Sequence, residues 1–354
     1  MADLARLKNI FQKAVDINAS DVHIVSGENA IYRIDGELKK LEDGGPLSAQ
    51  EAEDLISLTL RPDLVERLKR LKEVDYSFDF DGSRVRANVF FERGNVAGSF
   101  RFIPAQVKAF EELGLPPILN DFAKREQGLL IVTGPTGHGK STTIASMIDH
   151  INEVSPKHIV TVEDPIEYVF KNKKSIISQR EYGNDTLSFK RALRSVLRED
   201  PDVVFVGEMR DAETFEAVLT IAETGHLVLT TLHTNDAAQT PGRIIDIFPK
   251  NQQSQIRQQL ANVLSGVISQ RLIPRANKAG RVLASEIMVA NSAIKNLIRE
   301  SKLHQIGSII QTSASEGMIT LDKVLADLVS RGEITLEEAL QWTNDAKTFK
   351  QMVF

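Results

Sequence analysis

The stretch Gly134-Pro135-Thr136-Gly137-His138-Gly139-Lys140-Ser141 constrains the fold of this chain more than any other. It satisfies the phosphate-loop pattern of a glycine, four residues and Gly-Lys-Ser/Thr, which functions only where a strand enters the loop and a helix leaves it. Both flanks are present: the apolar run Leu129 to Val132 comes before, and Thr142 to Asp149 reads as a helix. Such a loop presents backbone N–H groups and a helix N-terminus to a phosphate chain, so Gly134 through Thr142 form a candidate nucleotide cradle. Lys140 is expected to reach the β- and γ-phosphates and Ser141 to bind magnesium, which makes ATP and Mg2+ the implied cofactors. The loop alone does not choose the phosphoryl acceptor.

Three further apolar runs end in polar residues: His158 to Val162 into Glu163-Asp164, Val203 to Val206 into Gly207-Glu208, and Leu227 to Leu229 into Thr230 to His233. As parallel strands alternating with helices they build an α/β sheet whose carboxyl edge also carries the phosphate loop. Hydrolysis needs a group that orients the attacking water and a carboxylate that acts on magnesium. Glu163 is assigned as the base and Glu208 as acting on magnesium, directly or through its water shell; the reverse division stays open. His233 is placed to hydrogen-bond the γ-phosphate. A histidine metal site is not expected, because His226 and His233 would face opposite sides of one extended strand.

Arginines supply the remaining charge. Arg191, Arg194 and Arg198 recur at helical spacing before Asp200-Pro-Asp202, and Arg210 follows the strand that leads to Glu208. In isolation this is a solvated basic helix face. In an oligomer the same face meets a neighbour's nucleotide. Arg84, Arg86 and Arg101, on strands of the N-terminal region, are alternative fingers for an effect worth about 10³ to 10⁵ in rate. Periodicity does not choose among them.

Ahead of the loop the pattern differs. From Asp21 to Phe102, short alternating segments are separated by turn signals such as Asp35-Gly36 and Asp81-Gly82, which predicts an antiparallel sheet. Ser48 to Lys72 carries leucines at three- and four-residue intervals and predicts helices interrupted at Pro62. Leu4, Leu7, Phe11, Ala14 and Val15 predict an amphipathic first helix, not a secretory signal. This α+β region is assigned residues 1–102, the Pro/Gly-rich stretch 103–117 a linker, and 118–354 the loop-bearing domain, with mainly helical spacing from about Gln252 and C-terminal helices over about 275–354 that include Trp342.

Composition narrows the function classes. The net charge of -5 is too mild to make attraction to nucleic acid or anionic lipid the main source of affinity. With no cysteine, disulfides and thiolate zinc sites are excluded, and a reducing cytosol fits. No apolar run approaches the roughly 20 residues needed to span a bilayer, so no membrane insertion is expected.

Taken together the motifs resemble the hexameric secretion and type IV pilus ATPases. The resemblance rests on Ala19-Ser-Asp-Val-His23, the Arg33-to-Glu37 hairpin, the Walker A loop, the aspartate box Thr161 to Glu167, the Walker B stretch Arg198 to Arg210, and the histidine box from Gly225-His226 to His233-Thr-Asn235. It implies a PAS-like N-terminal domain, a RecA-like ATPase domain with a helical C-terminal region, and a homohexameric ring. It also implies catalytic roles for Glu163, Glu208, Arg194, Arg210 and His233, and nucleotide contacts from Arg86, Arg101 and His226. Ala293 to Glu300 is similar to the C-terminal motif of the PilT-type retraction branch, with Lys295 where an arginine is usual; read without the resemblance it is an amphipathic core helix. The absent cysteines separate the chain from assembly and type II secretion members that carry a four-cysteine zinc motif. The implied partners are an inner-membrane pilus platform protein and five further copies of the chain, at the cytoplasmic face of the inner membrane.

Two positions depart from the family pattern. His138 stands where serine or proline is usual, at a position expected to contribute chiefly its backbone. Thr240-Pro-Gly242 replaces a more helical sequence and is expected to alter a helix start or a subunit contact. The competing readings are a pilus-assembly or type II secretion ATPase, a small-molecule kinase, which would need an acceptor pocket and lid, and a nucleotide-gated nucleic-acid module, which the net charge does not support.

Overall fold

The structure, a computed structural model, describes the chain apart from residues 1, 35, 36, 42, 43, 82, 104–106, 210, 278, 279, 344, 345 and 354. The chain divides into two compact units, Met1–Gln106 with Glu167–Val169, and Val107–Ile166 with Phe170–Phe354.

In the first unit, α1 (Ala2–Asp16) leads into β1 (Asp21–Ile24), β2 (Ile31–Ile34) and β3 (Glu37–Lys40). Then come α2 (Ala49–Ser57), α3 (Pro62–Leu71), β4 (Glu73–Phe80), β5 (Ser83–Glu92) and β6 (Asn95–Ile103). The strands form one antiparallel sheet in the order β3-β2-β1-β6-β5-β4. Ser48 caps α2 in a reciprocal box with Glu51, and Pro62 opens α3, where its missing N–H costs nothing. Leu7, Ile10, Phe11 and Ala14 form the buried stripe of α1. Phe11 meets Phe78, Phe80, Phe100 and Phe102 at ring separations of 5.1 to 6.0 Å. One fully buried aromatic thereby fastens the helix to β4 and β6.

The second unit opens with α4 (Phe110–Leu113), α5 (Ile118–Ala123), β7 (Gly128–Thr133), α6 (Lys140–Val154), β8 (His158–Glu163) and β9 (Ile176–Glu181). It continues through α7 (Phe189–Val196), β10 (Val203–Val206), α8 (Ala212–Glu223), β11 (Leu227–Leu232), α9 (Thr240–Asp246) and α10 (Gln253–Val263). The last elements are β12 (Leu264–Pro274), β13 (Arg281–Val289), α11 (Ser292–Arg299), α12 (Ile306–Thr312), α13 (Leu321–Ser330), α14 (Leu336–Leu340) and α15 (Ala346–Val353). The sheet order is β13-β12-β7-β11-β10-β8-β9, parallel except for β13. β7, β10 and β11 are buried along their whole length, as strands covered by helices on both faces must be. One core joins the sheet to α7, α8 and α10 to α12, and another joins it to α5 and α6.

Here the expectation of mainly helical structure from Gln252 is corrected. β12 and β13 form an antiparallel hairpin, and β12 also pairs in parallel with β7. The strand went unrecognised because it is buried on both faces yet interrupted by Ser269, Gln270 and Arg271, so neither alternation nor an unbroken apolar run marks it. Trp342 lies just past the end of α14 and not within a helix. Pro241 sits in the first turn of α9, the position where a helix tolerates it. In α11, Ile294 and Ile298 are fully buried and Leu297 packs beside them, so this motif is part of the core.

Candidate active site

The phosphate loop leaves the buried end of β7 at Thr133 and turns through three glycines with positive φ, Gly134 (140°), Gly137 (78°) and Gly139 (82°). A side chain at Gly134 would also be blocked, since a Cβ there would lie 2.4 Å from the Gln270 carbonyl oxygen. Gly139 precedes α6, so the N–H groups of Lys140, Ser141 and Thr142 form the first turn of a helix, the arrangement that suits an anion. Lys140 is buried, and its Nζ donates to the Gly134 carbonyl at 2.9 Å and the Pro135 carbonyl at 3.1 Å.

Sheet order then dictates what stands beside the loop. β7, β11, β10 and β8 are consecutive neighbours, with Thr133 opposite Leu232, Thr230 opposite Val206, and Val206 opposite Val162. The residues at their carboxyl ends therefore line one edge in the order phosphate loop, His233, Glu208, Glu163. Thr133 Oγ1 fastens the first two ends together through the Leu232 and Thr234 carbonyls at 3.2 and 2.8 Å, and Thr231 Oγ1 donates to the Gly207 carbonyl. His233 Nδ1 lies 3.4 Å from Lys140 Nζ, and its Nε2 lies 3.3 Å from Glu208 Oε1. With the ammonium donating to Nδ1, the ring proton sits on Nε2 and points to the carboxylate. Glu163 is buried at the end of β8, where its Oε1 accepts from Thr161 Oγ1 at 2.6 Å and Gln179 Nε2 at 3.3 Å. At about 4.8 Å per strand, β8 stands about 14 Å from β7, and β10 only about 10 Å.

The other sequence candidates lie on other elements. α7 buries Ala192, Leu193 and Val196 and turns Arg191 and Arg194 to solvent, with Arg198 exposed just beyond it. Because α7 carries the chain from the carboxyl end of β9 back towards the amino end of β10, Arg194 in its last turn is drawn away from the phosphate loop of its own subunit. Arg210 lies outside the described residues. His226 precedes β11, so about 20 Å of strand separates it from His233; its Nδ1 lies 3.0 Å from the Ile221 carbonyl oxygen at the end of α8. It is not brought to the phosphate loop. In the first unit Arg86 faces Arg101 directly across β5 and β6, and Arg101 Nε donates to Asp21 Oδ1 at 2.8 Å. Arg84 is held by Asp79 at 3.1 Å.

Sequence reasoning missed the residues that hold the loop from its other side. Gln270 and Arg271 are buried on β12. The Gln270 side chain donates to the His138 carbonyl at 2.7 Å and accepts from Thr143 Oγ1 at 2.9 Å. Arg271 donates to the Gln270 carbonyl at 2.9 Å and to the Asn235 carbonyl, so it ties β12 to the segment after His233. Burial lowers its affinity for a proton, with Glu286 and Asp236 acting in the opposite sense. The one available signal was polar residues inside an apolar run. A correction also applies to His138, whose ring is engaged as well as its backbone: Nδ1 accepts from the Leu272 N–H at 3.0 Å.

A family model described as type II/IV secretion system protein matches residues 106–341. A type IV pilus retraction ATPase, PilT, of Pseudomonas aeruginosa is 45% identical over 322 residues, covering 91% of this chain and 93% of the relative. A twitching motility protein of Neisseria gonorrhoeae is 44% identical over 330 residues, covering 91% of this chain and 88% of the relative. Among solved structures, the pilus retraction motor PilT with bound ADP superposes with a TM-score of 0.91 at 50% identity, covering 97% of this chain and 98% of that one.

Proposed function

This chain belongs to the type II/IV secretion system protein family, and we propose that it is a magnesium-dependent ATPase working as a homohexameric ring motor for type IV pilus retraction. The observation that carries this reading is the line from Lys140 through His233 to Glu208 beside the phosphate loop. Loop and first-turn N–H groups bind the phosphates, and Lys140 exchanges two loop carbonyls for phosphate oxygens. The Ser141 hydroxyl and the Glu208 carboxylate are hard oxygen donors, the type that suits magnesium. Magnesium held with ATP would neutralise charge on the β- and γ-phosphate oxygens. His233 aims Glu208, and Glu163 takes the proton of the attacking water. The exposed arginines of α7, or Arg86 and Arg101, supply charge to a neighbour's site.

Retraction is favoured over assembly or secretion by the Ala293 to Glu300 motif, by the absence of cysteine, and by the chain's similarity to a pilus retraction ATPase and a twitching motility protein. The site of action would be the cytoplasmic face of the inner membrane, against a pilus platform protein whose disturbance releases pilin. No helix among the described residues is long and apolar enough to cross a membrane. Steady-state hydrolysis across a protein concentration series, with mass determination on the same samples, tests the reading. Activity should rise with a six-subunit species and vanish in Lys140→Ala; full activity in a monomer would overturn the ring. Restoration of twitching in retraction-deficient cells tests the branch.

A further inference from the structure

The phosphate loop is held on its outer side by contacts from β12 and β13, and the ring of one loop residue leads on to an aromatic side chain. The Gly137 carbonyl accepts from Arg281 Nη1 at 3.1 Å, and the His138 carbonyl accepts from Gln270 Nε2 at 2.7 Å. In a trans peptide the N–H points opposite to the C=O. Pulling these two carbonyls towards β12 and β13 therefore turns the N–H groups of His138 and Gly139 the other way, into the cradle. The His138 ring adds a third hold through Nδ1 and the Leu272 N–H at 3.0 Å. Its edge then meets Trp342, with centroids 5.4 Å apart and planes at 68°, while the Arg271 guanidinium lies 5.8 Å from the centre of the same indole.

Trp342 belongs to a different hydrophobic cluster from those that pack on the loop-bearing strand. It packs on the cluster formed by Ile273, Ala284, Leu325, Leu328 and Phe349, and its backbone N–H donates to the Ala339 carbonyl at the end of α14. Its indole N–H is buried with no partner among the described residues, so ring packing against His138 and Arg271 locates it. At the position where the family pattern has serine or proline, this chain thus carries a side chain that spans from the loop to the C-terminal helices.

We propose that His138 is a positioning residue whose ring couples the phosphate loop to Trp342, so that the C-terminal helical cluster sets how tightly the loop holds nucleotide. The proposal rests on the reading that the loop binds ATP. Preorganised donors lower the cost of binding, and loss of one neutral hydrogen bond changes an equilibrium by about two- to tenfold. Nucleotide arrival, which loads the same peptides, should in turn alter the surroundings of Trp342.

Trp342 is the single tryptophan of the chain, so its emission reports the surroundings of this one ring, and the His138 variant isolates the part due to this contact. The experiment uses the full-length chain with MgATP turnover, binding of fluorescently labelled ADP, and Trp342 emission during titration with unlabelled ADP. His138→Ser and Trp342→Ala should each raise KM and the ADP dissociation constant about two- to tenfold with kcat kept. The double variant should be no weaker than the singles, since both cut one path. Trp342→Phe, which keeps a ring and guards against misfolding of the alanine variant, should restore tight binding. ADP should change Trp342 emission in the wild type and leave it unchanged in His138→Ser at saturation. Additive effects, unchanged KM in both singles, or a wild-type emission indifferent to bound ADP would overturn the coupling. If labelled ADP binds wild type and not Lys140→Ala, such a result removes the coupling alone; if wild type binds no ADP, the nucleotide reading falls with it.

Discussion

His233 Nε2 lies 3.3 Å from Glu208 Oε1, and through its other nitrogen the same ring reaches Lys140. The histidine thus links the phosphate loop to the acidic residue two strands away.

His233→Ala should leave ADP binding within about twofold of wild type and lower kcat about 10- to 100-fold, the range for losing a residue that orients a reacting group's ligand. Calorimetry with ADP and steady-state turnover separate the two effects. Unchanged turnover would show that Glu208 holds its direction by other contacts.

Glu163→Gln and Glu208→Gln should both fold and bind nucleotide while losing hydrolysis by about 10² or more, the usual contribution of a positioned base. A magnesium titration divides their roles. Glu208→Gln should need more magnesium for half-maximal residual activity, whereas Glu163→Gln should not. The sheet order favours this division, since Glu208 ends a strand closer to the phosphate loop and Glu163 lies one strand further out. The opposite magnesium response would reverse the assignment.

Much of this edge was legible because its chemistry is written in short, contiguous stretches. Gly134 to Ser141 carries its own geometry, and Glu163, Glu208 and His233 each end an apolar run, so parallel pairing brings them together. The outer wall was hidden for the opposite reason. Gln270 and Arg271 reach the loop only because β12 lies beside β7, a pairing between residues more than a hundred positions apart that local periodicity does not encode. β9 was missed because it is a half-exposed edge strand with the polar sequence Ser178-Gln-Arg-Glu181. His226, whose nucleotide contact only the family resemblance implied, precedes β11 while His233 follows it, so the extended strand holds the two apart.

The pH dependence of stability should carry a signature of His138. Its proton affinity is lowered below the ordinary 6.5 by burial first, and then by Arg271, Arg281 and Lys140. The unfolded chain takes up that proton near 6.5, and the folded chain only at lower pH. Stability from this group is therefore complete above 6.5 and declines as the pH falls towards the folded value. His23, lowered mainly by burial, acts in the same window, so the comparison must be with His138→Gln. The loss in Tm between about pH 7.5 and about pH 5.5 should be smaller in the variant. An equal loss would mean that the ring is free to protonate in the folded chain.

The helix α11 should divide into two kinds of variant. Ile294 and Ile298 are fully buried against the sheet core, so Ile294→Ala should cost about 2 to 5 kcal/mol in chemical denaturation. Deleting Ala293 to Glu300 would remove both anchors and cannot separate motor function from folding. Lys295 is different: its Nζ donates to the Asn262 carbonyl at 3.2 Å, and its proton affinity is lowered by burial and by Arg125 and Arg299. Lys295→Gln relieves that repulsion and should cost less than about 1 kcal/mol, since only one partly exposed hydrogen bond is lost. If α11 serves retraction beyond packing, Lys295→Gln should keep ATP turnover and reduce twitching. Normal twitching with normal turnover would confine α11 to its place in the core.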